Sequence, residues 1–280
     1  MKTAPLVVAP LCAFAVAGCR STGSGLPESL FATVDGHRVH YAVEGRGEKT
    51  FVFVHGWGGS VESWREQVHP IAVRARVVRI DLPGHGESDA PRIDYTVDLF
   101  ARAVGAVMDD ADVDRAVLVG HSLGALVVRH FYRLDSHRVE ALVFDDGRVT
   151  SFGTRESLEP FVAPFRGEAY KEAIARFVEA LLPTPGSEAL RAEAIATISL
   201  TPQHVLVSAM ENLSDPRYFE PDPIRVPVIA IHARAFLRPE EEEALHGFID
   251  DLDFRVWDRV GHFPMLEMPD RFNSALLGLL

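Results

Sequence analysis

Five residues, Gly120-His121-Ser122-Leu123-Gly124, constrain this chain more than any other stretch. The run before them, Ala116-Val117-Leu118-Val119, is apolar and β-branched, as a buried strand is, and residues 125–132 read as a helix. A serine at such a strand-to-helix turn takes a strained backbone conformation. Flanking glycines let neighbouring backbone pass close by, which leaves the hydroxyl exposed at the C-terminal edge of a sheet. The spacing G-x-S-x-G recurs by chance; a strand before it and a helix after it make it specific. The competing reading is a serine N-cap, its hydroxyl accepting from free N–H groups of an ordinary helix.

The rest of the chain supplies the sheet that this turn needs. Residues 30–34 and 38–43 read as strands joined by the turn pair Asp35-Gly36, and residues 50–54 read as a strand buried on both faces. Helical stretches at 61–72 and 95–108 alternate with strands at 76–80, 115–119 and 139–144. Residues 226–231, 239–248, 254–257 and 269–280 then give strand, helix, strand, helix. This alternation predicts a single α/β domain, a mostly parallel sheet with helices on both faces and its ligand site beyond the carboxyl ends of the strands. Between 147 and 223 the alternation stops. Helix-like stretches at 169–182 and 187–198, broken by Pro and Gly, predict a helical cap inserted before the last two strands, the core being 30–146 and 224–280.

Composition adds mainly exclusions. With 280 residues, 47% hydrophobic, the chain can bury a large core. A formal net charge of −12 and the lack of a basic stripe argue against nucleic acid as a partner. Met1-Lys2 and the short apolar run 6–16 form a leader that ends Val16-Ala17-Gly18-Cys19, which resembles a bacterial lipobox: residues 1–18 would be removed and Cys19 would carry lipid. Cys12 and Cys19 are the two cysteines, so the mature chain would hold no disulfide. Residues 19–29 would be a flexible tether, and the protein would sit in the bacterial envelope, with the outer membrane favoured by Arg20 standing where an aspartate might signal retention. A plain signal peptide or an uncleaved anchor is the alternative.

Two further segments bear on Ser122. His55-Gly56-Trp57-Gly58-Gly59-Ser60 follows the central strand, and such a turn can aim a backbone N–H into the space above the serine. The candidate donors for negative charge developing on a carbonyl oxygen are the N–H groups of Trp57 and Leu123, a kind of interaction worth about 3–4 kcal/mol per donor. A purely structural glycine turn is the alternative. Val260-Gly261-His262-Phe263 follows the last strand, which brings His262 to the same sheet edge as Ser122, where a neutral imidazole can take the hydroxyl proton. His121 is expected to pack against the sheet. No metal-ligand spacing, Walker motif or complete G-x-G-x-x-G is present, so neither metal nor cofactor is expected.

Taken together, His55-Gly56-Trp57-Gly58, the turn Asp81-Leu82-Pro83-Gly84-His85-Gly86-Glu87-Ser88, the elbow 120–124 and Gly261-His262-Phe263 resemble the α/β-hydrolase family from residue 30 to the end. The resemblance implies Ser122 as nucleophile, His262 as base, Trp57 and Leu123 as oxyanion donors, and an architectural role for the 81–88 turn. It also implies a carboxylate behind His262. Many members carry it in the loop after the strand that here ends in His232, but Phe236 stands about where the acid is expected, and Glu240 to Glu243 look like the acidic first turn of a helix. Other members place the acid at the end of the strand before the cap, where this chain has Asp145-Asp146. The two side chains of an alternating strand end point apart, so only one of them can serve. Asp146 is the choice and Asp145 the reserve.

The implied activity is cleavage of small carboxylic esters through an acyl-enzyme. Lactone, carbon–carbon or amide hydrolysis, acyl transfer, or a non-catalytic envelope binding protein that keeps the fold are the alternatives. A serine at the elbow argues against epoxide hydrolase and haloalkane dehalogenase chemistry, which uses aspartate there. Phe152, Phe161, Phe165, Tyr170 and Phe177 either line an apolar pocket or form the cap's own core.

Overall fold

The computed structural model describes residues 28–151 and 153–280. The expected leader, Cys19 and Phe152 lie outside the described residues. Among the described residues eight strands form one sheet: β1 (Glu28–Val34), β2 (His37–Gly45), β3 (Thr50–Val54), β4 (Arg76–Ile80), β5 (Ala116–His121), β6 (Val139–Asp145), β7 (Val228–Ala233) and β8 (Leu252–Trp257). Their order is β1-β2-β4-β3-β5-β6-β7-β8. β2 runs antiparallel to both β1 and β4, and every pairing from β4 to β8 is parallel. The first strand starts at Glu28, inside the stretch expected to be tether, because the 28–34 segment has an edge partner in β2.

Alternation along the central strands explains the two-sided core. Phe51 and Phe53 of β3 point to one face, where Trp64, Ile71 and Phe272 cover them. Val52 and Val54 point to the other, against Val104 and Leu126. The first face is closed by α1 (Arg65–Ala72), with α9 (Pro264–Glu267) and α10 (Pro269–Leu277); the second by α2 (Val97–Asp110), α3 (Leu123–Leu134) and α8 (Glu241–His246). Each fully buried Phe or Val contributes about 1.5–3 kcal/mol. α2 begins where Thr96 accepts the Leu99 N–H at 3.0 Å.

Between β6 and β7 the chain builds α4 (Arg155–Arg166), α5 (Tyr170–Leu181), α6 (Glu188–Leu200) and α7 (Gln203–Glu211). They share a separate apolar cluster that includes Phe165, Ile174, Val178 and Leu206. Buried Arg129 of α3 ties both ends of this cap to the core, donating to the carbonyls of Val149 (3.3 Å) and Tyr218 (2.6 Å). Burial, then neighbouring Arg133, pushes its guanidinium down to about 10. On the cap's other side, Arg65 pairs with Glu193 of α6 at 2.8 Å. Both groups are partly solvated, so this link contributes little to stability.

Candidate active site

At the end of β5 the backbone of Ser122 is left-handed, φ 53° and ψ −115°. A non-glycine residue holds such a conformation only where its surroundings enforce it. Here two close approaches do so. A Cβ on Gly120 would lie 2.2 Å from the Gly124 carbonyl oxygen, and one on Gly124 would lie 2.2 Å from that of Val54. The side chain makes no capping bond to α3, which removes the N-cap reading. Its Oγ faces His262 Nε2 at 2.8 Å, and His262 Nδ1 faces Asp146 Oδ2 at 2.6 Å. These contacts select one tautomer: Nδ1–H donates to the carboxylate, and Nε2 accepts from the serine hydroxyl.

Asp145 and Asp146 part as strand alternation requires. Asp146 leaves β6 with φ 43°, its N–H bonded to the Ile231 carbonyl at 2.8 Å. Its Oδ1 accepts the Ala233 N–H at 2.8 Å, which aims Oδ2 at His262. Asp145 is fully buried on the opposite face, neither carboxyl oxygen has a hydrogen-bond partner among the described residues, and its backbone carbonyl accepts the Ser122 N–H at 2.9 Å. Burial, then the charges of Asp146 and Glu267, raises its carboxyl well above 3.8 and so disfavours its charged form. Phe236 packs edge-on against the His262 ring, centroids 5.7 Å apart.

The loop that carries His262 is held by groups the sequence did not point to. Glu267, at the end of α9, accepts the Gly261 N–H with both oxygens at 2.9 Å and the Phe263 N–H at 3.3 Å. The His262 N–H donates to Leu181 of the cap at 2.8 Å. His121 Nε2 donates to the His262 carbonyl at 2.7 Å, so His121 braces the loop besides packing against Trp64 and Phe263. Burial, then His262, keeps the His121 ring well below 6.5, hence neutral. A carboxylate five residues past a loop histidine was the available signal for Glu267. His121 and Leu181 depend on tertiary contacts alone.

Trp57 and Leu123 line the cavity beside Ser122. Leu123 is the first residue of α3, where backbone N–H groups have no partner within the helix. The Trp57 indole donates to the Leu206 carbonyl at 2.8 Å and meets Phe165 and Phe177 edge-on, so the turn after β3 is seated under the cap. The 81–88 turn folds around one carboxylate: Asp81 takes the N–H groups of Val61 (2.7 Å) and Glu87 (3.0 Å) and His40 Nδ1 at 2.7 Å. Burial alone would raise Asp81; the His40 bond and these donors outweigh it and lower it.

Above these groups lies a cavity of about 460 Å³. Leu158, Phe161, Phe177, Leu190 and Ile198 of the cap give it an apolar wall. The aromatic side chains of the cap divide between both expected roles. Phe161 and Phe177 line the cavity, Phe165 is buried in the cap's own cluster, and Tyr170 packs against that cluster. Glu241 to Glu243 do form the acidic first turn of α8, but Glu241 turns inward to the cavity wall, where it accepts from Thr150 Oγ1 at 2.6 Å.

A mostly parallel sheet covered on both faces, a strained serine after its fifth strand and a helical cap over the strand ends define a capped α/β fold of hydrolase type. A family model described as alpha/beta hydrolase fold matches residues 49–193. The chain belongs to the α/β hydrolase fold family. It is 43% identical over 94 residues to a dihydrolipoyllysine-residue acetyltransferase component of an acetoin cleaving system from Cupriavidus necator, a match covering 34% of this chain and 25% of that protein. The chain thus spans only a quarter of that relative's length. A 2-hydroxy-6-oxononadienedioate/2-hydroxy-6-oxononatrienedioate hydrolase from Paraburkholderia phymatum is 26% identical, with 87% of this chain and 91% of that protein covered. Among solved structures, one described as an N-acyl homoserine lactone degrading enzyme superposes with a TM-score of 0.78 at 26% identity, covering 90% of this chain and all of the other.

Proposed function

We propose that the protein is a serine hydrolase that cleaves carboxylic esters. The observation that carries this reading is the unbroken run Ser122 Oγ, His262, Asp146, at 2.8 and 2.6 Å, on the floor of a largely apolar cavity. Ser122 Oγ attacks the ester carbonyl while His262 Nε2 takes its proton. The Trp57 and Leu123 N–H groups receive the oxyanion, and Asp146 stabilises the imidazolium. The imidazolium protonates the departing alkoxide, leaving an acyl-Ser122. Water then repeats the sequence: its oxygen bonds to the acyl carbon as His262 takes its proton, the acyl–oxygen bond to Ser122 breaks, the imidazolium returns that proton to Ser122 Oγ, and the acid departs. A lactone is an ester closed on itself and passes through the same steps. The similarity to a lactone-degrading enzyme over 90% of the chain favours including lactones among the substrates.

We also propose that Cys19 carries lipid and holds the domain at the bacterial envelope, on the strength of Val16-Ala17-Gly18-Cys19 behind an apolar leader. Hydrolysis of short p-nitrophenyl esters by the wild type, absent from Ser122→Ala, tests the first reading. Activity that survives that change refutes the mechanism, and no activity at high enzyme concentration favours a non-catalytic binding protein. For the second, Cys19→Ala should move the protein from the membrane to the soluble fraction. Unchanged fractionation contradicts lipidation.

A further inference from the structure

The turn after β3, His55-Gly56-Trp57-Gly58-Gly59, carries three glycines, and it is the turn that supplies an oxyanion donor. A peptide unit beside glycine flips at little steric cost, which exchanges the directions of its C=O and N–H. The unit that matters joins Gly56 to Trp57. It stands against the elbow: a Cβ on Gly56 would lie 3.0 Å from the Ser122 Cβ and 2.9 Å from the His121 Nδ1. In one orientation this unit offers the Trp57 N–H to negative charge beside Ser122. Flipped, it would offer that charge a carbonyl oxygen.

Two donors hold the Gly56 carbonyl. The Gly59 N–H reaches it at 3.0 Å, and His55 Nδ1 lies 2.7 Å from it. The other ring nitrogen fixes the tautomer. The Leu82 N–H donates to His55 Nε2 at 3.0 Å, so Nε2 carries no proton and Nδ1–H is the donor to Gly56. The ring is fully buried, with His85 tilted against it at 5.1 Å between centroids. Burial lowers it from 6.5 against the opposing pull of Asp81, which favours this uncharged form. A planar trans peptide points its C=O and N–H to opposite sides. With the carbonyl turned to His55 and Gly59, the Trp57 N–H is turned the other way, and among the described residues it has no partner.

We propose that His55 is the positioning residue of the oxyanion site: its Nδ1–H, bonded to the Gly56 carbonyl, locks the Gly56–Trp57 peptide with the Trp57 N–H facing the carbonyl that Ser122 attacks. This role rests on the serine-hydrolase reading and adds to it a side chain that touches neither substrate nor the reacting atoms. The competing role is a plain tie between two turns, made by the bond from Leu82 to Nε2.

Two substitutions separate these bonds. In His55→Asn the amide nitrogen takes the place of Nδ1 and keeps the donor to Gly56, while the acceptor for Leu82 is lost. In His55→Gln the amide oxygen reaches the region of Nε2 and keeps that acceptor, while the donor is lost. On p-nitrophenyl hexanoate, kcat of His55→Asn should stay within about tenfold of wild type, and that of His55→Gln should fall by about 10²-fold, the lower end of what one lost oxyanion donor costs. KM and the apparent pKa of kcat/KM should be unchanged in both, because neither the cavity nor His262 is altered. The same ranking should appear in the binding of hexyl trifluoromethyl ketone. Ser122 Oγ adds to its carbonyl carbon, His262 takes the hydroxyl proton, and the carbonyl oxygen becomes an oxyanion. A plain tie predicts equal losses or the reverse order, and either result overturns the proposal. The wild type reports without any substitution. An N–H that donates to an oxyanion makes its own carbonyl a stronger acceptor, so ketone binding should move the His55 Nδ1 proton downfield in NMR spectra. An unmoved proton overturns the proposal. A wild type that neither hydrolyses the ester nor binds the ketone overturns both readings, whereas an active wild type with His55→Gln as fast as His55→Asn overturns the role of His55 alone.

Discussion

The floor and the roof of the cavity are built by opposite means. On the floor every polar element is fixed by directional bonds. Asp146 is held at its N–H and at Oδ1, and the His262 loop at three consecutive N–H groups and one carbonyl. On the roof, α4 to α7 cohere through a shared apolar cluster, and the cap carbonyls of Leu181 and Leu206 reach down to His262 and Trp57. Directional bonds specify positions to fractions of an ångström, whereas apolar packing specifies volume. Changes to the floor should therefore alter rate, and changes to the roof should alter which substrate is accepted.

The largest break in that division is Ser122→Ala, expected to lower kcat on a p-nitrophenyl ester by about 10⁵–10⁶-fold. Asp146→Asn comes next, with a loss of about 10⁴-fold, since an amide leaves the imidazole without its anionic partner and in the wrong tautomer. Asp145→Asn is the sharper comparison, because it changes the adjacent residue, buried on the other face. Its kcat should stay within about tenfold of wild type, and its main effect should appear in stability. The Asp145 carboxyl is raised in the folded state, so above 3.8 the unfolded chain has released a proton that the native protein still holds. That proton difference makes wild-type stability fall as pH rises from 3.8 toward the raised folded value. An amide in its place cannot titrate, so urea midpoints of Asp145→Asn should gain on wild type as pH rises above 3.8. A midpoint difference that is flat with pH would show that Asp145 is charged in the native protein.

Glu267→Gln is the intermediate case. The amide keeps the shape, but loses the charge that strengthens bonds to Gly261 and Phe263 and places a donor toward one of two N–H groups. About tenfold should be lost from kcat with KM little changed, as befits a group that positions His262 without touching substrate. A rise in KM alone would mean that Glu267 shapes the pocket instead.

Legibility in the sequence followed the same boundary between directional bonds and packing. The sheet, its handover to the cap and the meeting of Ser122 with His262 were readable, because strand alternation and elbow glycines are local patterns. Asp146 was readable only through the family resemblance, which puts the acid either near Phe236 or at the strand end before the cap, and strand parity said no more than that one of Asp145 and Asp146 can serve. Smaller shifts came from the same source. The strand expected at 226–231 lies at Val228–Ala233, in register with β6 and β8, and the helix expected at 239–248 is confined to Glu241–His246. His121, Leu181 and Glu241 were not readable as parts of the site. What each contributes is a contact with a residue distant in sequence, and neither periodicity nor spacing encodes such a contact.

The smallest expected effect lies on the roof, and it separates two phenylalanines of one helix. Phe161 is 52% exposed, lines the cavity and meets Phe177 edge-on at 5.6 Å. Phe165 is 3% exposed within the cap cluster. Phe161→Ala enlarges the apolar wall while removing little buried surface, so the preferred acyl chain should lengthen. Apolar discrimination is worth about 1–3 kcal/mol per methylene, and a side chain this exposed sits at the low end of that range, a shift in relative kcat/KM of about tenfold or less. Phe165→Ala opens a void inside the cap and should cost about 3–5 kcal/mol of stability, most of it local to the cap. The measurement is a chain-length profile from acetate to decanoate beside a thermal melt of each variant. Phe161→Ala should change the profile and leave the melt almost unmoved, and Phe165→Ala should do the reverse at low temperature. If Phe161→Ala instead depresses all chain lengths as deeply as Asp146→Asn does, the roof holds the chemistry in place, and the division between rate and choice fails.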